Sequence, residues 1–240
     1  MGKGGKCNMR VQLLSLVHFR NIKPFITYFF ISPIIQMFLF VLINQQYSSY
    51  INYSVALGSI FISANASAIN TINQLLVTDI ILDIHKEMIV HKPYSVKYWL
   101  DKIGTVYLSS FLLFIIHTVI LAIFGLGMDQ ILIAMMILPL SILYSLLLGI
   151  ISFYLAINMN NIYFFNNIFT NILPIIAGLA IPITTYPTIF KFVSNLFPYG
   201  EILHSIYNNQ INISYLYIHI LIILIVCIII YKYRVTIQTT

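Results

Sequence analysis

Charge is the scarcest thing in this sequence. Asp, Glu, Lys and Arg make up 8% of the 240 residues, and six of those ions are acidic, whereas an average soluble domain carries about 25% charged residues. A water-facing surface cannot be built from so few ions. With 60% of its residues hydrophobic, the chain must take lipid as its solvent. In lipid every backbone N–H and C=O has to be bonded within the fold, which leaves helices or a closed barrel. The apolar stretches run for about twenty residues instead of alternating over about ten, so the expected class is an all-α integral membrane protein.

Other absences narrow the chemistry. The two cysteines, Cys7 and Cys227, lie before the first apolar run and inside the last. They match no metal or redox spacing and imply no disulfide framework. The pattern Gly-x-x-x-x-Gly-Lys-Ser/Thr does not occur. Gly5-Lys6 is followed by Cys7 with no strand before it, so no phosphate loop and no ATPase activity of the chain's own are expected. No carboxylate pair or His/Asp relay sits within the apolar runs, as a proton-coupled carrier or intramembrane hydrolase would need. His117, alone in the third run, reads as a packed, hydrogen-bonded residue. No cleavable leader is expected, since the first run begins near Phe25, is too long, and lacks a small-residue cleavage site. No internal repeat is visible.

What charge there is has position. Lys3, Lys6, Arg10, Arg20 and Lys23 precede the first run, Lys86, Lys92, Lys97 and Lys102 lie between the second and third, and Lys232 and Arg234 follow the last. Grouping on alternate loops is the positive-inside pattern, and it predicts that both termini are cytoplasmic. It accounts for the net charge of +6 without nucleic acid, leaving attraction to membrane lipid headgroups as a secondary effect. The chain therefore reads as one transmembrane domain over 1–240. A helix lies at the interface over 9–23, and six spans occupy 24–43, 54–77, 103–126, 131–157, 162–181 and 215–231. A charged cytoplasmic segment covers 79–102, and an outer segment 182–214. A bacterial plasma membrane is the expected setting.

Three features are candidates for function. In the cytoplasmic segment Asp79, Asp83 and Glu87 recur every four residues, which on one helix stacks like charges on one face. Either a soluble partner supplies cations, or solvent, Lys86 and the helix N-terminus suffice. His85 and His91, six residues apart, fall on different faces and make a poor metal site. The second feature is polar stripes within spans: Ser59, Ser63, Ser67, Asn70 and Gln74 in span two, and Tyr163, Asn167, Asn171, Pro174 and Gly178 in span five. They serve either helix packing or a wetted path. The stripe Ser141, Ser145, Gly149, Ser152 and Ala156 of span four reads as packing. The third feature is 182–212, where Pro182, Pro187 and Pro198 break apolar segments ahead of Glu201 and His204. It is too apolar for a free loop and too broken to span, so a re-entrant or interfacial hairpin fits.

In order along the chain, these features resemble the permease subunits of type-2 ATP-binding-cassette (ABC) exporters. The resemblance is carried by Glu87 ahead of Pro93-Tyr-Ser95, by Asp101-Lys102 opening span three, and by Gly178, Pro182, Pro187 and Pro198 before span six. The sequence departs from the family pattern at Ile84-His85, where Gly-Thr is usual, and at Asp101, where the family has Gly. The resemblance implies that a separate cytoplasmic ATPase, carrying the ATP and Mg, docks on Asp83, His85, Glu87, His91, Lys92, Pro93 and Ser95. It implies a second permease, identical or paralogous, and a path through Ser63, Ser67, Asn70, Gln74, Asn167, Asn171 and Gly178. Pro182, Pro187, Pro198 and Glu201 would form the outer gate. The expected cargo is amphipathic or hydrophobic: a peptide, a lipid-like molecule or a drug. A nucleotide-independent channel or secondary carrier is the alternative.

Overall fold

A computed structural model describes residues 9–48, 53–92, 94–209 and 213–239. No strand occurs among them, and the helices follow in the order α1 (Met9–Ser15), α2 (Val17–Arg20), α3 (Ile22–Ile26), a π turn (Thr27–Ile31), α4 (Ser32–Ser48), α5 (Tyr53–Ile81), α6 (Ile84–His91), α7 (Val96–Ile123), α8 (Met128–Ala156), α9 (Phe164–Ile176), a 3₁₀ turn (Ile183–Thr185), α10 (Thr188–Asn195), α11 (Tyr199–Tyr207) and α12 (Ser214–Thr239). Five segments are long and apolar enough to cross a membrane: Ile22–Gln46, Tyr53–Ile81, Val96–Ile123, Met128–Ala156 and Ser214–Thr236. The 29 residues of α5 reach about 43 Å at 1.5 Å each, more than a hydrocarbon core of about 30 Å. The chain is a multi-pass, all-helical membrane protein.

The axis of the bundle is α5, packed against α4, α7, α8 and α9. It approaches α8 closely where a Cβ on Gly149 would lie 2.3 Å from Ile72 Cγ2 and 3.0 Å from the Ile69 carbonyl. Polar side chains tie the same faces. Asn65, fully buried, donates from Nδ2 to the Phe61 carbonyl (2.8 Å) and accepts from Ser141 Oγ (2.6 Å) and Ser145 Oγ (2.7 Å). Ser145 Oγ in turn meets the hydroxyl of buried Tyr199 at 2.8 Å, which locks α11 onto the pair. Lower down, Asn73 Nδ2 donates to Ser152 Oγ at 3.0 Å. The small residues of α8 thus serve close packing and interhelical bonding.

Four expectations need correction. The 9–23 segment is not one helix: Leu16 and Asn21 are extended, which splits it and lets Leu16 and His18 turn inward. The His18 ring stacks on Tyr28 at 4.2 Å, and Gln12 is buried beside Thr105 of α7. The bounds of the helices flanking 79–102 also differ from those expected. Helix α5 runs on to Ile81 and α7 starts at Val96, so Asp79 and Lys102 belong to long helices. Nor do Asp79, Asp83 and Glu87 share a helix face, because Asp83 sits at φ 55, a left-handed conformation that Asp tolerates, and breaks the run between α5 and α6.

The fourth correction concerns 162–181, whose helix α9 stops after 13 residues at Ile176. Gly178 ends it at φ +75, with Gly178 N–H donating to the Ile175 carbonyl (2.9 Å) and Leu179 N–H to the Pro174 carbonyl (3.0 Å). This is a Schellman stop, and a Cβ at Gly178 would also strike Ile183 Cγ1 at 2.6 Å. The remaining carbonyls are met by the segment that follows. Tyr186 OH donates to Ile175 O (2.7 Å) and buried Ser194 Oγ to Ile176 O (2.6 Å). A helix end with its acceptors met in this way can lie away from water. Helix α11 packs against α8 and α5, while α10 leaves Ile189, Phe190 and Phe192 exposed.

Candidate functional site

Two places carry polar chemistry in an otherwise apolar molecule. The first is the end of the bundle where α5 finishes, α7 begins, and α8 and α12 finish, called here the basic end. Lys102, 1% exposed, holds Asp79 at 2.7 Å and also donates to the Leu75 carbonyl at 3.4 Å. The Tyr98 hydroxyl donates to the same Asp79 oxygen, and the Lys102 ammonium stands 4.8 Å from the Tyr98 ring centre. Side chains four residues apart on α7 thus clasp the last turn of α5. A carboxylate paired and bonded in this way stabilises a joint between helices, whereas removing one partner strands a charge.

Beside that joint lies the short helix α6. His85 is buried between Phe153 (5.5 Å, edge-on) and Tyr154 (6.0 Å) of α8. Burial pushes its pKa down, opposed by Asp79 and assisted by Lys102, so the ring is held neutral. Asp83, Glu87, His91 and Lys92 are exposed, and Ser95 is half-buried at the start of α7. Pro93 lies outside the described residues. Of the expected coupling residues, four therefore point outward and His85 points inward as an anchor. Exposed Ile81, Leu82 and Val90 give the same face an apolar component. A cleft of about 310 Å³ opens next to it, lined by Asp83, His85, Val90, Asn158 and Arg234. Arg234 donates to the Tyr154 carbonyl (3.2 Å) and to Asn158 Oδ1 (3.4 Å), placing a cation where α8 leaves carbonyls unpaired. The turn at 158–161 is uncharged in sequence, and its cation comes from α12.

The second place is a stripe on α5. Between Phe61 and Val77 nearly every residue is buried, except Ala66, Asn70 and Gln74, which with Thr78 recur every four residues and remain half-exposed. Ser67 accepts from Tyr28 OH at 2.8 Å, and Ser63 donates to Gln36 Oε1 at 3.1 Å, so both bond the first long segment. On the other flank Asn166 of α9 donates to Asn70 Oδ1 at 2.7 Å. Asn167 and Asn171 are exposed on the free side of α9, and Gly178 sits in its stop. The structure thus brings Asn70, Gln74 and Thr78 into one open stripe with α9 alongside, and diverts Ser63 and Ser67 to helix pairing.

At the opposite end of the bundle Pro187 precedes α10 and is exposed, Pro198 is buried, and Pro182 is half-buried ahead of the 3₁₀ turn. Glu201 is exposed in the first turn of α11 and lines a cleft of about 190 Å³ with His204 and Tyr215. His204 Nε2 meets Asn208 Nδ2 at 2.9 Å.

Sequence reasoning missed three residues that organise these sites: Asn65, Tyr199 and Arg234. Asn65 breaks the spacing of the expected stripe and faces α8, and Tyr199 looks like any aromatic of the outer segment. The signal for Arg234 was present as a cation beyond the last span, without an indication of its partner. Among the described residues, no group of three His, Cys, Asp or Glu side chains is arranged to hold a metal. Comparison with protein-family models, curated proteins and solved structures finds no match.

Proposed function

We propose that this chain is the membrane-spanning permease subunit of an ATP-driven exporter of the type-2 ABC kind, sitting in a bacterial plasma membrane with both termini cytoplasmic. The observation that carries the proposal is the open stripe. Asn70, Gln74 and Thr78 of α5 and, on the neighbouring α9, Asn167 and Asn171 leave amide and hydroxyl groups open on the α5–α9 side, in segments that this reading places in the membrane. Polar groups there face protein or a wetted cavity, because lipid gives them no partner. A second copy, identical or paralogous, facing this side completes a path lined by amides on apolar walls, and that chemistry fits amphipathic cargo.

Six crossings are part of the same reading. Arg234 of α12 meets the end of α8, so both helices finish at the basic end. The chain between Ala156 and Ser214 must therefore return across the bundle. Helix α9 rises about 20 Å of that way at 1.5 Å per residue, and its satisfied stop hands over to the α10–α11 hairpin as a re-entrant outer segment.

In the mechanism, the ATPase docks on the exposed side of α6 through Asp83, Glu87, His91 and Lys92. His85 and the Asp79–Lys102 clasp transmit its movement to α5 and α7. The chain hydrolyses nothing itself. ATP and Mg act on the partner, and nucleotide closure moves α6 as a lever, opening the α5–α9 side alternately to the two faces.

The test is to extract the tagged chain gently and identify what accompanies it by mass spectrometry. A soluble ATPase recovered with the wild type and lost in Asp83→Lys/Glu87→Lys is the expected result. Recovery of the chain alone, transporting in liposomes without nucleotide, would overturn the proposal in favour of a channel or carrier.

A further inference from the structure

On the side of the bundle away from the α5 stripe, α7 and α12 both pack on α8 and diverge from one another, leaving an apolar groove of about 530 Å³. Its floor is Leu143, Leu147 and Ile150 of α8, and its walls are Leu100 and Ile103 of α7 and Leu224 and Ile228 of α12. At the basic end the walls approach through aromatic rings, with Trp99 and Tyr231 edge-on at 5.7 Å and Tyr94 against Tyr231 at 6.1 Å. Among the described residues, the one charged member of the lining is a cation, Lys232, at that same end. We propose that this groove is a binding site for one anionic phospholipid, with an acyl chain lying on α8 and the phosphate held by Lys232.

Depth selects the occupant. From Leu224 to Lys232 the α12 wall is eight residues, about 12 Å at 1.5 Å per residue, close to half of a hydrocarbon core of about 30 Å. The groove is thus one leaflet deep. A helix of another chain crossing the membrane needs a contact running the length of the bundle, whereas an acyl chain ends within its leaflet. The ends match as well. Trp and Tyr settle at the level of lipid headgroups, and Trp99, Tyr94 and Tyr231 mark that level beside Lys232. A zwitterionic headgroup would gain less from the Lys232 charge than an anionic one. The site rests on this chain alone and needs neither an ATPase nor a transport assay.

Native mass spectrometry of the purified chain, equilibrated with equal amounts of phosphatidylglycerol and phosphatidylcholine, tests it. One phosphatidylglycerol retained in preference to phosphatidylcholine is expected. Lys232→Gln should cut that retention about fivefold, the worth of one cation at an anionic surface. Ile228→Trp should displace the lipid by filling the groove, and Leu42→Trp, on the exposed face of α4, should leave it unchanged. If Ile228→Trp does not fold, Leu100→Trp fills the groove from the opposite wall. Equal retention of both lipids would overturn the proposal, as would wild-type retention in both groove variants, or a dimer of the chain that dissociates in Ile228→Trp.

Discussion

Helices α5 and α12 have the same task of crossing the bundle and reverse the rule that soluble proteins follow. The less apolar of the two, α5, is the one inside: 89% of its central window is buried, against 22% for α12, whose composition is more uniformly Ile, Leu and Val. In water the hydrophobic helix would take the core. Here lipid solvates α12 as well as protein would, so no apolar driving force draws it inward. Polar groups have no such alternative. Asn65, Asn73, Ser67 and Thr71 are inside because only Tyr28 of the π turn, α7, α8 and their own turns supply hydrogen bonds. What holds this bundle is therefore concentrated in the few polar contacts of α5, and substitutions there should outweigh any along α12.

The largest effect is expected at the basic end. Lys102→Ala leaves the largely buried Asp79 without its counter-ion and with Tyr98 as its remaining donor, and should destabilise the protein by about 3 kcal/mol. The double variant Asp79→Asn/Lys102→Met should recover most of the loss, because it removes both charges together. Thermal unfolding in detergent micelles measures both. Equal damage in the single and double variants would mean that the shape of the site, and not its charge pairing, holds α5 to α7.

The axis comes next. Asn65→Ala removes the acceptor shared by Ser141 and Ser145 and should cost roughly 1–2 kcal/mol by the same assay. Gly149→Leu should cost a comparable amount, since the added side chain must push Ile72 and the α5 backbone away from α8. If neither moves the midpoint, the contrast between inner and outer helices is one of position without energetic consequence.

The architecture was legible to the degree that it follows from solvent. Scarce charge and twenty-residue apolar runs dictate helices in lipid, and five helices are long and apolar enough to cross a membrane. The stopping of α9 was not legible as a stop. Gly178 and Pro182 stood out, but ending the helix away from water also takes Tyr186 and Ser194 folded back onto its last carbonyls, and that is tertiary information. The acidic repeat misled for a related reason. Spacing of four implies a shared face only if the helix is continuous, and Asp83 breaks it after Asp79 has found Lys102. Within the stripe, periodicity located the polar residues of α5 without saying which face a neighbour would take. Ser63 and Ser67 went to the first segment, and Asn70 and Gln74 stayed half-open.

Acidification probes the inner contacts without mutation. Burial depresses the His18 pKa from 6.5 to about 4 and lowers that of His85, so the unfolded chain takes up these protons first. The His18 contribution to stability is complete above about pH 6.5 and is lost as the pH falls toward about 4, and His85 acts in the same direction. The unfolding midpoint of the wild type should drop across that window. His18→Phe, which keeps a ring against Tyr28 without a titrating nitrogen, should flatten part of the drop.

The smallest effect should come from the most hydrophobic surface of the molecule. Ile225 and Ile229 of α12 are 55% and 61% exposed, and a soluble protein with such residues at its surface would be prone to associate. If their surroundings are acyl chains, Ile225→Ala exchanges one lipid-solvated side chain for a smaller one in the folded and the membrane-embedded unfolded state alike. The difference should stay within about 0.5 kcal/mol. A loss approaching that of Asn65→Ala would show that a protein surface covers this flank. The outer helices would then be buried in the assembled state, and the contrast with α5 would belong to the isolated chain alone.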